Sequence, residues 1–255
     1  MAFAVGSQNI LADSYIKPEY FPHSAPEHLA PKWRWPALVA HLERLDADVL
    51  CLQECEPQVF DLVKAPLEPG GYAAIYFKKT GNKPDGCATF HRRAKLVFRG
   101  LERFVYSDGS GHVALLVELE HEGRVLTVAN THVKWQPPGT PLEGSHGILQ
   151  TTELLDRIER GPCRSWIACG DFNATPESEI IQRIEARGFR CPYPRDAFTA
   201  NANDRRKKID YLFATSDLVG HPRPLRAIED KTPLPGLGEP SDHLAVVADF
   251  EWSSV

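Results

Sequence analysis

Trp166–Ile167–Ala168–Cys169–Gly170–Asp171–Phe172–Asn173 carries an apolar, strand-forming run straight into a carboxylate and an amide. A short apolar stretch bounded by polar residues has the signature of a strand buried on both faces. The same pattern recurs along the chain. Val5–Gly6–Ser7–Gln8–Asn9 ends in an amide, Val49–Leu50–Cys51–Leu52–Gln53–Glu54 in a carboxylate, and Leu126–Thr127–Val128–Ala129–Asn130–Thr131–His132 in an imidazole. Asp210 and the pair Asp242–His243 stand at the starts of two later strands. In an antiparallel sandwich the ends of one strand and the starts of its neighbours share an edge, so these side chains are expected to converge in one pocket.

Working outward, runs rich in Val, Ile, Leu and aromatics recur at Asp48–Leu52, Tyr72–Phe77, Cys87–Phe90, His112–Leu119, Val125–Ala129, Trp166–Cys169, Ile209–Ala214 and Leu244–Phe250, and predict strands. Helical stretches are fewer. Pro36–Leu45 carries Leu38, Leu42 and Leu45 at helical spacing with Pro36 near its start; Gly144–Glu159 and Pro176–Arg187 read alike, the last closed by Gly188. Many strands and few helices predict an α/β fold: two packed, mostly antiparallel sheets flanked by helices, a four-layer sandwich. The Pro-rich segments Lys17–Pro36, Gln136–Pro141 and His221–Pro240 are expected as surface loops. None has a linker's length or composition, and residues 1–255 are read as a single catalytic domain.

A composition of 42% hydrophobic and 25% charged residues is that of an ordinary globular protein. No apolar stretch is long enough to span a bilayer and the N-terminus lacks a signal-peptide pattern, so a cytoplasmic location is expected. The six cysteines sit mostly in apolar runs without C-x-x-C spacing and read as reduced core residues. Cys87, beside Gly86 in an apolar strand, is packing rather than a nucleophile. A net charge of −5 excludes a protein that coats long nucleic acid, which would need many Lys and Arg contacts. A short strand end or small phosphorylated ligand stays open.

Clustered carboxylates and amides suit a hard cation such as Mg²⁺, and Glu54 with Asn9 fits that role. Two histidines beside several aspartates supply an acid and a base for phosphate-ester hydrolysis. Asn9 has an alternative as a turn cap, and Asp210 as the ion-pair partner of Lys207 or Lys208. The run Arg205–Arg206–Lys207–Lys208 is either a solvated loop or a phosphate contact; Trp33, Trp35 and Trp135 either stack on a base or bury against the core.

At these motifs the chain resembles the endonuclease/exonuclease/phosphatase superfamily, which has the deoxyribonuclease I-like fold. SQNILADSY, LCLQECEP, KPDGCATF, NTHVKW, GDFNATPES, KKIDYLFAT and SDHLAVVADF occur in order, and are closest to the branch of carbon-catabolite-repressor-type deadenylases, nocturnin and 2′-phosphodiesterases. The resemblance implies a metal shell of Glu54, Asn9 and Asp242, holding Mg²⁺ or alternatively Mn²⁺. It implies that Asp171 and Asn173 orient the attacking water and a phosphate oxygen, that His243 pairs with Asp210, and that His132 stabilises charge on the phosphoryl group. Asp85, Lys134, Arg206 and Lys207 would contact substrate, and residues 15–31 and 136–146 would set specificity. Beginning at the first motif, the chain is expected to lack the repeats that recruit deadenylases to partners, and no protein partner is expected. The function implied is a Mg²⁺-dependent phosphodiesterase or 3′ exonuclease acting on a short RNA end or a small nucleotide. A phosphomonoesterase or phosphodiesterase on an inositol phosphate or phospholipid headgroup is the alternative, and a non-catalytic binding module the competitor from another class.

Overall fold

Two β-sheets lie face to face with helices on both outer surfaces in the computed structural model, which describes residues 1–137, 139–202 and 204–253. With strands numbered along the chain, the first sheet runs β12 (Leu218–Pro222), β13 (Val246–Trp252), β1 (Phe3–Asn9), β2 (Val49–Cys55), β4 (Gly86–Arg92), β3 (Tyr72–Lys78). The second runs β11 (Asp210–Ala214), β8 (Trp166–Asp171), β7 (Arg124–His132), β6 (Val113–His121), β5 (Val97–Val105). A short ribbon pairs β9 (Ala200–Ala202) with β10 (Arg205–Lys207). Each sheet contains one parallel pair, β1 with β2 and β7 with β8, in an otherwise antiparallel ladder. This is the expected sandwich.

Alternation along the central strands builds three apolar layers. Val49 and Cys51 point between the sheets, where they meet Phe3, Val117, Val128, Ile167, Cys169 and Phe250. Leu50 and Leu52 point outward onto α1 (Pro31–Arg44) and α2 (Pro57–Leu67), against Leu38, Leu42, Val59 and Val63. Across the molecule Leu116, Ala129 and Phe213 meet Leu154, Ile158, Ile181 and Ile184 of α3 (His146–Arg160) and α4 (Glu179–Ala186). Strands covered on both faces read as continuous apolar runs, which is why they were legible in the sequence. All six cysteines are free; Cys51, Cys55, Cys87 and Cys169 are buried. Among the described residues no helix is long and apolar enough to cross a membrane.

Several boundaries differ from expectation. Helix α1 begins at Pro31, not Pro36: Pro31 takes the first helical position, where no backbone donor is needed, and Pro36 gives up only one early bond. The expected loop over Lys17–Pro36 therefore holds 3₁₀ turns at Pro18–Tyr20 and Pro26–Leu29, followed by the first turns of α1, with a further 3₁₀ turn at Asp13–Tyr15 preceding it. Helix α3 starts later than Gly144, where Ser145 caps it by accepting from Ile148 N–H. Helix α4 likewise starts at Glu179 behind a Ser178 cap. Strand β5 and helix α2 were not anticipated. β5 is an edge strand whose apolar side chains alternate with Arg99, Glu102 and Arg103, and α2 carries Pro66 inside it. Pro138 of the loop 136–146 lies outside the described residues.

Candidate active site

The second sheet places three polar side chains in one row. His132 ends β7 and pairs in register with Asp171 of β8, and Asp171 pairs in turn with Asp210 of β11. Side chains directly opposite on one face of a sheet are neighbours, so the row follows from strand register alone. His132 Nε2 lies 3.5 Å from Asp171 Oδ2. His243, carried in by the segment before β13, sets Nδ1 2.9 Å from Asp210 Oδ2 and Nε2 3.9 Å from Asp171 Oδ2.

Close approach of β7 and β8 depends on Gly170. Its φ is +138°, and a Cβ there would lie 1.8 Å from the Thr131 carbonyl oxygen. Three side-chain-bearing residues around the pocket also adopt left-handed backbone: Leu11 (φ 57°), Glu54 (φ 55°) and Asn173 (φ 49°). Such outliers concentrate at functional sites. Glu54 sits where the β2–β4 register shifts between Leu52 and Cys55, a bulge that turns its carboxylate into the pocket.

Asn9 joins the two sheets. Its Nδ2 donates to Glu54 Oε1 and to Asp171 Oδ2, both at 3.0 Å, while Oδ1 accepts from Leu11 N–H at 3.0 Å. Glu54 Oε2 accepts from Ala12 N–H at 2.9 Å. Asn173 donates its backbone N–H to Asp171 Oδ1 at 2.8 Å and its Nδ2 to the Val133 carbonyl at 2.9 Å. Asp85 is fully buried and accepts from Lys79 Nζ at 2.6 Å and from the Tyr15 hydroxyl at 2.7 Å.

The charges are unevenly balanced. Burial, reinforced by Asp210, pushes the Asp171 carboxyl up to about 7 against the opposing pull of His243. Burial and the charge of Asp242 raise Glu54, and burial raises Asp242. Burial would disfavour a charged His243, but Asp210, Asp242 and Asp171 overcome it and hold the imidazole well above its ordinary range. His132 goes the opposite way, well below its range, through burial and the nearby cations Lys79 and His243. Among the described residues, Asp171, Asp210 and His243 each place a donor atom within 4.8 Å of the others. Because His243 is cationic and engaged with Asp210, that group is not free to ligate, and the oxygen donors that fit a hard divalent cation are the carboxylates of Glu54 and Asp242 with the Asn9 amide oxygen.

Of the residues singled out in the sequence, Asn9, Glu54, Asp171, Asn173, Asp210 and His243 meet in one pocket, His132 lies against Asp171 in it, and Asp242 acts on it through its charge. Lys134 and Lys207 line an adjoining groove of about 320 Å³ together with Trp135, Leu142, Asn173 and Ile209. Arg206 lies elsewhere. Alternation on β10 turns it away from Lys207, to stack over Phe198 and pair with Glu229 and Asp230. Lys208 is buried and donates to the carbonyls of Tyr193 and Pro194, so it is no partner for Asp210. Of the tryptophans, Trp135 is 56% exposed, whereas Trp35 donates to Asp13.

Sequence reasoning missed Lys79, Thr199 and Arg34, and gave Tyr15 no role beyond its place in the SQNILADSY motif and the segment 15–31. Thr199 Oγ1 donates to Asp210 Oδ2 at 2.6 Å. Arg34, buried on α1, donates to the carbonyls of Ile10, Leu11 and Pro240 and to Asp13, tying the segment after Asn9 to the one before Asp242. Lys79 and Thr199 lie only 6 and 11 residues from the aspartates they hold, but outside the motifs that carry those aspartates, and Arg34 fell in a segment expected as a loop.

The chain is 25% identical over 319 aligned residues to human 2′,5′-phosphodiesterase 12, covering 96% of this chain and 51% of that protein. It is 26% identical to carbon catabolite repressor protein 4 homolog 4 of Arabidopsis thaliana, covering 98% and 77%. It thus spans about half the length of some curated relatives it matches. Among solved structures, ANGEL2, a 2′,3′-cyclic phosphatase, superposes with a TM-score of 0.83 at 21% identity over 98% of this chain and 95% of that one. ANGEL2 in complex with adenosine-2′,3′-vanadate gives 0.81 at 22% identity, over 98% and 95%. The profile of the endonuclease/exonuclease/phosphatase family matches residues 16–243, and the chain belongs to that family of phosphoester hydrolases.

Proposed function

We propose that residues 1–255 act as one catalytic domain, a divalent-metal-dependent phosphohydrolase that cleaves a phosphate ester at a short RNA end or in a small nucleotide. The observation that carries this reading is the row His132–Asp171–Asp210 with His243 folded over it, facing Asn9 and Glu54 of the other sheet. Glu54, Asp242 and the second lone pair of Asn9 Oδ1 would hold the metal. When bound, Mg²⁺ or Mn²⁺ supplies positive charge at a phosphate oxygen. Asp171 has the position and proton affinity of a general base near neutral pH, so it takes the proton of the attacking water. Asn173 N–H fixes the carboxylate's orientation. Asp210, itself held by Thr199, keeps His243 cationic with Nε2–H aimed at the phosphoryl group, where charge develops in the transition state.

Substrate class follows from the groove beside Asn173. Its size suits about one nucleotide unit, with Trp135 as an apolar platform and Lys134 and Lys207 for phosphate. The names of the relatives, a 2′,5′-phosphodiesterase and a 2′,3′-cyclic phosphatase, support a nucleotide ester. The test is hydrolysis with and without Mg²⁺ across 2′,5′- and 3′,5′-linked oligonucleotides, 2′,3′-cyclic nucleotides, mononucleotides and inositol phosphates. Turnover restricted to inositol phosphates or phospholipids would replace the nucleotide reading.

A further inference from the structure

His132 stands between two hydrogen-bond donors. Lys79 Nζ lies 3.2 Å from its Nδ1 and Asn173 Nδ2 lies 3.1 Å from its Nε2. A neutral imidazole accepts at only one ring nitrogen, and neither an ammonium nor an amide NH₂ can accept at all. One contact must therefore be a hydrogen bond and the other a mere approach.

Counting acceptors decides which. Lys79 is buried, and among the described residues its ammonium finds two acceptors, Asp85 Oδ2 at 2.6 Å and His132 Nδ1. Removing one leaves this buried cation with a single acceptor for its three protons, which is costly. Asn173 Nδ2 has other outlets for both its protons: the Val133 carbonyl at 2.9 Å and, more weakly, Asp171 Oδ2 at 3.5 Å. Lys79 in turn is fixed by Asp85, whose second oxygen accepts from Tyr15. The chain Tyr15–Asp85–Lys79 reaches the site from the strand β3 side with no residue of its own in the row of Asp171.

We infer that Lys79 is a positioning residue that fixes His132 in the Nε2–H tautomer, so that the imidazole offers the pocket a proton and cannot take one there. The inference rests on the proposed hydrolytic role of the pocket for its consequence, though not for the tautomer. With Nε2–H turned toward Asp171 Oδ2, 3.5 Å away, His132 is a neutral donor to a phosphoryl oxygen. That leaves base chemistry to Asp171. A neutral tautomer set by its partner at the other ring nitrogen is a recognised way of assigning a histidine's role.

The tautomer is read directly by long-range ¹H–¹⁵N correlation of the histidine ring in the intact protein, with His132 assigned through His132→Gln. The expected result is an unprotonated Nδ1 and a protonated Nε2 in the wild type and in Lys79→Arg, which still only donates. Lys79→Met should shift the ring toward Nδ1–H. In the hydrolysis assay Lys79→Met should lose about tenfold or more in kcat with KM nearly unchanged, and Lys79→Arg should recover part of it. A protonated Nδ1 in the wild type overturns the inference, as does a ring spectrum that Lys79→Met leaves unchanged. If the wild type cleaves no phosphate ester, the functional proposal fails while the ring spectrum still decides the tautomer.

Discussion

Replacing Gly170 by alanine should damage stability and catalysis together, because one contact sets both. The added Cβ would meet the Thr131 oxygen at 1.8 Å, and real Cβ contacts essentially never fall below 3.0 Å, so β7 and β8 must separate locally by at least about 1.2 Å. Overpacking of this kind costs roughly 1–3 kcal/mol, and holding an L-residue at φ +138° adds about 1–3 kcal/mol more. A loss of about 4 kcal/mol is a large share of the roughly 5–15 kcal/mol that stabilises a native protein. At about 2 °C per kcal/mol for a chain of this size, Tm should fall by about 8 °C. Gly170 adjoins Asp171, and Thr131 adjoins His132, so the same displacement opens the His132–Asp171 pair. A misplacement of about 1 Å can cost roughly 100-fold in rate. Calorimetry gives the first quantity, and kcat/KM measured well below the variant's Tm gives the second. A variant that melts within about 2 °C of the wild type and retains full activity would refute the argument that Gly170 sets the spacing of the row.

His243→Gln and Asp210→Asn should each cost most of what the double variant costs, since the two share one role, and additive losses in log kcat would separate them. Lys207→Ala should weaken nucleotide binding and reduce the salt slope by about 0.7, one phosphate's worth for a single strand. Arg206→Ala, engaged with Glu229 and stacked on Phe198, should leave both unchanged, so equal effects would show that the groove is misassigned. His41 is buried on α1, and desolvation, helped by Arg44, lowers it to about 4 from its ordinary value near 6.5. Its folded form refuses a proton that the unfolded chain accepts, so its contribution is present above pH 6.5 and lost as pH falls toward 4. That is on the order of 3 kcal/mol. The stabilities of wild type and His41→Gln from denaturant titrations should diverge by about that amount in total between pH 6.5 and pH 4, and parallel pH profiles would remove His41 from the account.

The sandwich was legible because its central strands are buried on both faces, and an apolar run such as Trp166–Cys169 can be little else. Strand β5 was not, since an edge strand exposing Val97 and Phe98 between charged residues has no such signature. Residues placed by register were equally readable: Asp171 and Asp210 end or begin strands that lie side by side, so strand polarity alone brings them together. Lys79 and Thr199 were not, because each reaches the site through a side-chain direction set by packing that a short motif does not record. Arg206 and Lys207 show the same limit at shorter range. A two-residue alternation on β10, invisible in a run of four basic residues, sends one to the groove and the other away from it.

The central claim is that phosphate-ester cleavage occurs in this pocket and depends on a cation held at Glu54. Its most direct test follows hydrolysis of a short oligoadenylate by chelator-treated protein as Mg²⁺ is restored, comparing the wild type with Glu54→Ala. The wild type should be silent without metal and recover activity with saturable dependence on Mg²⁺. Glu54→Ala, its circular dichroism unchanged, should remain at least about 100-fold slower at every Mg²⁺ concentration. Undiminished turnover by the chelated wild type, or by Glu54→Ala, would contradict the account.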